Sequence, residues 1–457
     1  MILRDPIHGL VEFEGDDEVV VEALLATREV QRLRRVRQLG LTSLVFPGAE
    51  HSRFAHAVGA AHVMTRLLRR VRRVEDELPI ALRIDGEARR EAIAAALLHD
   101  LGHGPFSHLF EDVMPDARHH EAWTGDILRD PGTEVHGALE GLGAGTADRV
   151  ADLLAGSHRI PYLTRAVSGT LDVDRADYLL RDSHMTGARY GLYDLDWVLR
   201  ALSFGEVPDR EAADGSAWVL AIEGRKGLPP IEGFFLGRHF MYEQVYHHKA
   251  TRAGEALVRG LLARMAELVR DGDRAAVGDV PPGLARAARG EPVSLGDYLQ
   301  LDDSQLLACV AGWARSSDPF LAEHASRLLE RRLPKTLPLP DDEALWTEAH
   351  ARACAVAEAA GVRSDLTVFV DVARDVPYPE PAEGPGGMWV RIRHQPMQRL
   401  GDVSFLLGEL RNKRIRRPRL IFPAPLRDRV VDAVRDLLDG ANPAPETSSD
   451  RRADGAP

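Results

Sequence analysis

The chain has 457 residues, 44% hydrophobic and 28% charged, with a net charge of −12 and two cysteines, enough for two to three domains or one large one at roughly 100–200 residues per domain. Apolar content near the globular average excludes a disordered chain, the lack of glycine triplets and long heptads excludes a fibre, and the longest strongly apolar run, Ala92–Leu98, falls far short of the about 20 residues that span a membrane. The N-terminus has no basic start and apolar run of a signal peptide, Cys309 and Cys354 alone do not staple a chain this size, and the acidic balance does not suit a scavenger of nucleic-acid backbone, so a soluble cytoplasmic protein is expected.

From Asp16 to Leu199 apolar residues recur at spacings of three and four, which predicts mostly helix. Gly40, Pro47-Gly48, Gly102-His103-Gly104-Pro105 and Gly187 to Gly191 mark connections where helices stop. A polar stretch from Gly205 to Ser216 leads into a strand at Trp218–Ile222, and Pro230 to about Val269 reads as one long helix or two short ones. The Gly-, Asp-, Pro- and Ala-rich segment Arg270 to Pro292 is a candidate boundary. Beyond it, helical segments at Leu299–Ala314 and Glu343–Ala360 precede β-like runs at Leu366–Val372, Trp389–Arg393 and Leu420–Phe422, and a final helix covers Arg427 to Leu438. The tail from Asn442 to Pro457 has no periodicity and is expected to be disordered. No repeat at solenoid periods is present.

The segment that carries chemistry is Ala94-Ala95-Ala96-Leu97-Leu98-His99-Asp100-Leu101-Gly102-His103-Gly104-Pro105-Phe106-Ser107-His108. Side chains adjacent on a helix point about 100° apart, so a His-Asp pair at a helix end converges only on something lying off that end, such as a metal ion. Imidazole with carboxylate suits zinc, iron, manganese or, with water, magnesium. Further ligands are needed, and His56 upstream and Asp174 downstream are the candidates. A lone histidine on a helix is more often a packed or surface residue than a ligand, and a lone Asp-x-Asp is more often a cap. Three histidines and a carboxylate beside an apolar helix are costly to desolvate without a purpose. His62, six positions from His56 on another helix face, is given no role.

The order His56, His99-Asp100, Asp174 resembles the HD-domain metal-dependent phosphohydrolase superfamily. The longer wording resembles its deoxynucleoside triphosphate triphosphohydrolase (dNTPase) branch, which includes the sterile-alpha-motif and HD-domain enzymes. The matching text is Asp5-Pro6-Ile7-His8-Gly9, Gln31-Arg32-Leu33-Arg34, Gln38-Leu39-Gly40, Val45-Phe46-Pro47-Gly48-Ala49, Arg53-Phe54-Ala55-His56, the His99–His108 stretch, Asp172 to Tyr178, Arg181-Asp182 and Tyr246-His247-His248-Lys249, over roughly residues 1 to 260. The fold implied is mainly α: an HD-domain helical bundle over 1–270, a smaller α+β C-terminal region over 271–440, and the tail 441–457.

The resemblance implies one divalent metal, Fe, Mn, Zn or Ni, held by His56, His99, Asp100 and Asp174, with Mg²⁺ on the triphosphate. It implies hydrolysis of dNTPs at the α-phosphorus to deoxynucleoside and inorganic triphosphate. His108 becomes the general acid, supported by Glu111 where the family pattern has aspartate, with His103 and His120, chosen over His119, as further active-site histidines. Arg53, Arg175, Arg238 and Lys249 are the phosphate-binding candidates, Arg175 standing where the family often has lysine. Tyr178 and Asp182 are matched to sugar recognition, Gln38 to the region of the 3′-hydroxyl, and Tyr246 to a contact that crowds a 2′-hydroxyl.

In regulated family members an activating guanine nucleotide binds at a subunit interface. Arg32 and Arg34 match basic positions there, whereas Ala26 stands in place of an acidic guanine reader. A homo-oligomer, dimer or tetramer, is therefore expected, and an allosteric nucleotide is left open. Two other readings stay open: an HD-type phosphodiesterase or nucleotidase acting on another nucleotide, and a nucleic-acid-binding sensor with a vestigial metal site. The basic run Arg411 to Arg419 is the candidate patch for the latter, although a solvated face explains it more simply.

Overall fold

A computed structural model describes residues 1–106, 111, 114, 118–209 and 215–439; His108 and the tail from Asn442 lie outside them. The protein is mainly α, with small sheets. The helices that carry the argument are α1 (Asp16–Leu25), α2 (Arg53–Val71), α3 (Gly86–Leu98), α4 (His120–Arg129), α5 (Val173–Thr186), α6 (Leu228–Met241), α7 (Lys249–Arg270), α8 (Glu343–Glu358) and α9 (Arg427–Asp439). The strands are β1 (Ile2–Asp5), β2 (Gly9–Glu12), β3 (Leu202–Pro208), β4 (Ser216–Glu223), β5 (Lys335–Pro338), β6 (Phe369–Asp375), β7 (Trp389–Arg391), β8 (Gln398–Arg399) and β9 (Ile415–Phe422). Among the described residues no helix is long and apolar enough to cross a membrane.

Two compact units form. One comprises Met1–Arg332 with Asp375–Ile415, the other Leu333–Arg374 with the described part of Arg416–Pro457. The Arg270 to Pro292 segment lies inside the first unit, because the short helix Pro282–Ala288 packs back onto α7.

In the first unit the centre is α3. Asp85 caps it by accepting the Ala88 amide at 2.8 Å, and every side chain from Ala92 to Leu98 is fully buried. An apolar stretch buried on all sides marks a helix surrounded by others rather than a surface one, and α1 and α2 pack against it while α5 packs on α2. The capping residue of α5 is Asp172, which accepts the Arg175 amide at 2.7 Å; Gly187, at φ 76°, ends the helix in the left-handed conformation. The region from Pro230 to Val269 is two helices. Between α6 and α7 the chain makes one π-helical turn, Tyr242–Tyr246, closed by the His247 amide on the Tyr242 carbonyl at 2.9 Å.

The antiparallel hairpin β1–β2 pairs Ile2 with Glu12 and Asp5 with Gly9. Asp5 Oδ1 accepts the amides of Ile7 and His8 at 2.8 and 3.0 Å, an Asx turn that aims His8 inward. The second sheet has the order β3-β4-β7-β8. The expected strand at Trp218–Ile222 lies within β4, while part of the stretch read as a polar connection, Gly205 to Pro208, is strand β3. Gly205 stands there against the end of the Met397 side chain, a neighbour that local composition does not reveal.

The second unit holds the sheet β5-β9-β6, with Trp346, Ala349 and Ala353 of α8 and Val430 and Val434 of α9 packed around Leu420 and Phe422. The start of the run expected as strand at Leu366–Val372 instead closes a helical turn, Ser364–Thr367, before β6 begins. The basic run from Arg411 to Arg419 is interleaved with acids rather than presented as a bare patch. Within the first unit Arg411 pairs with Asp402 and Glu380 and Lys413 with Glu409; within the second, Arg416 pairs with Asp341 and Glu343.

Candidate active site

Three helices bring His56, His99 and Asp174 together. His56 lies one turn into α2, His99 closes the C-terminal end of α3, and Asp174 sits in the first turn of α5. Each offers one ligand atom, and those atoms all lie within 4.8 Å of one another. His56 Nε2 is 3.0 Å from Asp174 Oδ1 and 3.2 Å from His99 Nε2.

The tautomers follow from the outer contacts. His56 Nδ1 faces Asp177 Oδ2 at 2.8 Å and His99 Nδ1 faces the Ala96 carbonyl at 2.9 Å. Both partners only accept, so both Nδ1 atoms carry the proton and both Nε2 atoms are left for a shared cation. Two imidazoles and a carboxylate with fixed outer partners fit a divalent transition metal. Asp100 lies beside this trio: its Oδ1 is 3.5 Å from His99 Nε2, while Oδ2 pairs with Arg53.

Without a cation in place, Nε2 of both rings is instead turned as a proton donor toward Asp174. Burial opposes a charge on His56, but hydrogen bonds to Asp174 and Asp177 outweigh it and push the pKa up to about 10. Burial likewise opposes the Asp174 charge, and hydrogen bonds from His56 and His99 hold it below the usual carboxylate range. Asp100 is buried too, and the Arg53 guanidinium beside it keeps it ionised.

Behind His56 runs a buried relay. Asp177 accepts from His8 Nε2 at 2.7 Å, from His56 and from Arg181 at 2.8 and 2.9 Å, and Arg181 continues to Asp5 at 2.8 Å. Gly59 of α2 faces this relay, where an added methyl would overlap both Asp177 Oδ1 and Arg181 Nη2. Gly59→Ala is therefore expected to cost at least about 1–3 kcal/mol through overpacking and to weaken metal retention, read together by a thermal melt and the metal content of the purified protein.

A cavity of about 420 Å³ opens beside the trio, and Gln38, Arg53, Asp100, His103, His120, Asp174, Tyr178, Asp182 and Tyr246 line it. Tyr246 donates its hydroxyl to Asp182 Oδ2 at 2.7 Å, and His51 Nε2 meets Oδ1 at 2.8 Å. The His103 and His120 rings lie 3.8 Å apart, and His120 Nδ1 is 3.2 Å from Glu111 Oε1. The exposed His119 also reaches Glu111, at 3.3 Å.

Three expected phosphate contacts are not on the cavity wall. Arg175 folds back onto Asp172 and the Gly169 carbonyl of its own helix cap. Arg238 is held by Asp375 at 3.0 Å and the Val376 carbonyl at 3.1 Å, and Lys249 is exposed at the start of α7. The wall instead includes Tyr242, His247, Arg252, Glu255 and Arg259. The last three sit at i, i+3 and i+7 of α7, a one-face spacing that would have flagged them. Arg32, matched above to a nucleotide-binding position, is a correction: it is 2% exposed and spends its donors on the Leu301 and His103 carbonyls. Arg34 stays at the surface, over the Phe54 ring.

A second, smaller cavity of about 220 Å³ adjoins the start of α5, but Val63, Leu67, Val198 and Leu199 make its wall largely aliphatic.

Residues 53–182 match the HD domain. The chain is 31% identical over 429 residues to the uncharacterized protein YwfO of Bacillus subtilis, covering 93% of this chain and 92% of that one. It is 30% identical over 284 residues to the deoxynucleoside triphosphate triphosphohydrolase SAMHD1 homolog of Dictyostelium discoideum, covering 60% of this chain and 51% of the relative; the chain thus spans about half the length of that relative. The crystal structure of a phosphohydrolase from Bacteroides thetaiotaomicron superimposes with a TM-score of 0.75 at 25% identity, covering 92% of this chain and 99% of that one. His56, His99 and Asp174 all fall in the matched segment, and the chain belongs to the HD-domain phosphohydrolase family.

Proposed function

We propose that the protein hydrolyses deoxynucleoside triphosphates to deoxynucleosides and inorganic triphosphate. The observation that carries this reading is the Tyr246–Asp182 hydrogen bond in the cavity that Asp174 of the His56–His99–Asp174 trio also lines, a polar contact beside the candidate metal centre. Similarity to proteins named triphosphohydrolases supports it.

His56, His99 and Asp174 would hold the metal, with Asp100 as fourth ligand. A divalent cation there supplies a Lewis acid for the α-phosphoryl group and a water of lowered pKa. Arg53, Arg252 and Arg259 add positive charge for the triphosphate. In the reaction a water oxygen bonds to the α-phosphorus, the P–O5′ bond breaks, and its electron pair and a proton go to O5′. His120, steadied by Glu111, and His103, whose ring lies against it, bring imidazoles to the cavity; the role of His108 as general acid rests on the sequence match. Gln38 Oε1 is buried without a hydrogen-bond partner among the described residues, and it accepts from a substrate hydroxyl or amine. Tyr246, half-buried against Tyr178 and Tyr242, crowds a ribose 2′-hydroxyl. A homo-oligomer is part of the same reading and is read by light scattering.

Incubating the metal-loaded protein with each dNTP is expected to release deoxynucleoside and tripolyphosphate, identified by phosphorus NMR. Orthophosphate or nucleoside monophosphate as the only products would overturn the reaction. Tyr246→Ala is expected to narrow the gap between dNTP and NTP turnover, and an unchanged ratio rejects the steric account.

A further inference from the structure

The loop Gly102 to Phe106 takes His103 to the cavity wall, and residues well beyond the matched HD segment hold it. Tyr298, stacked on Trp123 of α4 with ring centroids 3.9 Å apart, donates its hydroxyl to the Gly102 carbonyl at 2.6 Å. Arg32 bridges the His103 carbonyl at 2.8 Å and the Leu301 carbonyl at 2.6 Å. Asp303, 3% exposed, uses both carboxylate oxygens: Oδ1 accepts the Phe106 amide at 2.8 Å and Oδ2 the Arg37 amide at 2.9 Å.

Both grips fall where the backbone needs them. Phe106 has φ 51°, a left-handed conformation that a bulky side chain adopts only when its surroundings enforce it. Arg37 immediately precedes Gln38, and Phe106 and Gln38 both line the cavity. One buried carboxylate therefore spans two walls of the site.

We infer that Asp303 is a positioning residue for the reaction in this cavity: it fixes the His103 loop and Gln38 relative to each other, with Tyr298 and Arg32 holding the same loop at Gly102 and His103. The inference rests on the cavity being the dNTP site. A carboxylate suits the role because it accepts on both oxygens; an asparagine accepts on one and turns an N–H against the other amide.

The test compares full-length, metal-loaded wild type with Asp303→Asn, Asp303→Ala and Tyr298→Phe. Bound metal and helical content are expected to stay at wild-type values. Amide exchange over the 102–106 loop is expected to rise about tenfold for each lost hydrogen bond. Turnover is expected to fall ~10–100-fold in kcat, with Tyr298→Phe and Asp303→Asn milder than Asp303→Ala. Wild-type loop exchange and kcat in Asp303→Asn would overturn the inference, as would loss of metal and helicity in step with activity. If Asp303→Ala does not fold, Asp303→Asn and Tyr298→Phe, which keeps the Trp123 stack, carry the test. Wild-type protein that releases no triphosphate removes the dNTP reading, whereas loop exchange, measured without substrate, still decides the clamp.

Discussion

His56→Ala is expected to yield a protein with no bound metal and no triphosphate release, yet with its helices intact. His56 sits at the centre of the trio's contacts: Nε2 meets Asp174 and His99, and Nδ1 meets Asp177. Removing it takes away one of two nitrogen donors, and an open divalent site needs about three protein ligands. The apolar residues that pack α2 against α3, among them Val58, Met64 and Leu68, are untouched, so helicity survives. Elemental analysis of the purified protein and the tripolyphosphate assay read the two effects separately. Metal retained at the wild-type ratio would remove His56 from the ligand set, whereas metal loss with retained turnover would remove the metal from the reaction.

The His99-Asp100 corner of the candidate metal site was legible in the sequence because its signal is local. His99 and Asp100 end an apolar run, and the chain can place that pair only off a helix terminus; the structure puts His99 there, facing His56 and Asp174. The helical texture up to residue 199 was readable for the same reason. The cations on the cavity wall were not, because a positive charge takes the carboxylate that the fold brings nearest. Arg175 is captured by Asp172, the cap of its own helix, and Arg238 by Asp375, from a segment distant in sequence. Arg32 is absorbed by backbone carbonyls, one of them from the helical segment near residue 301 that has no recognisable motif. Asp177 stood in the quoted motif without a role, since only the fold shows His8 and Arg181 reaching it from either side.

Asp177→Asn is expected to loosen metal binding by ~10–100-fold, the usual cost of losing an outer partner of a ligating histidine, and to destabilise the fold by about 3–5 kcal/mol, the cost of breaking a buried ion pair. Asp177 is fully buried and accepts from His8, His56 and, through Nε and Nη2, one edge of the Arg181 guanidinium. Asparagine keeps the shape but loses the charge and one acceptor, leaving Arg181 with Asp5 as its remaining carboxylate. Burial opposes ionisation of Asp177, but Arg181 and the hydrogen bonds from His56 and His8 hold its pKa well below 3.8. A depressed carboxyl pKa gives stability that is complete above the unfolded value and lost as pH falls toward the folded one, so the full difference between variant and wild type is present at neutral pH. Chelator competition reports the affinity and the urea midpoint the stability. Because His56 gains its Nδ1–H orientation from this carboxylate, affinity must fall even in urea-free buffer where the variant is folded. Weakened stability with wild-type affinity would assign Asp177 to the fold alone, and wild-type values of both would remove the relay from the metal centre.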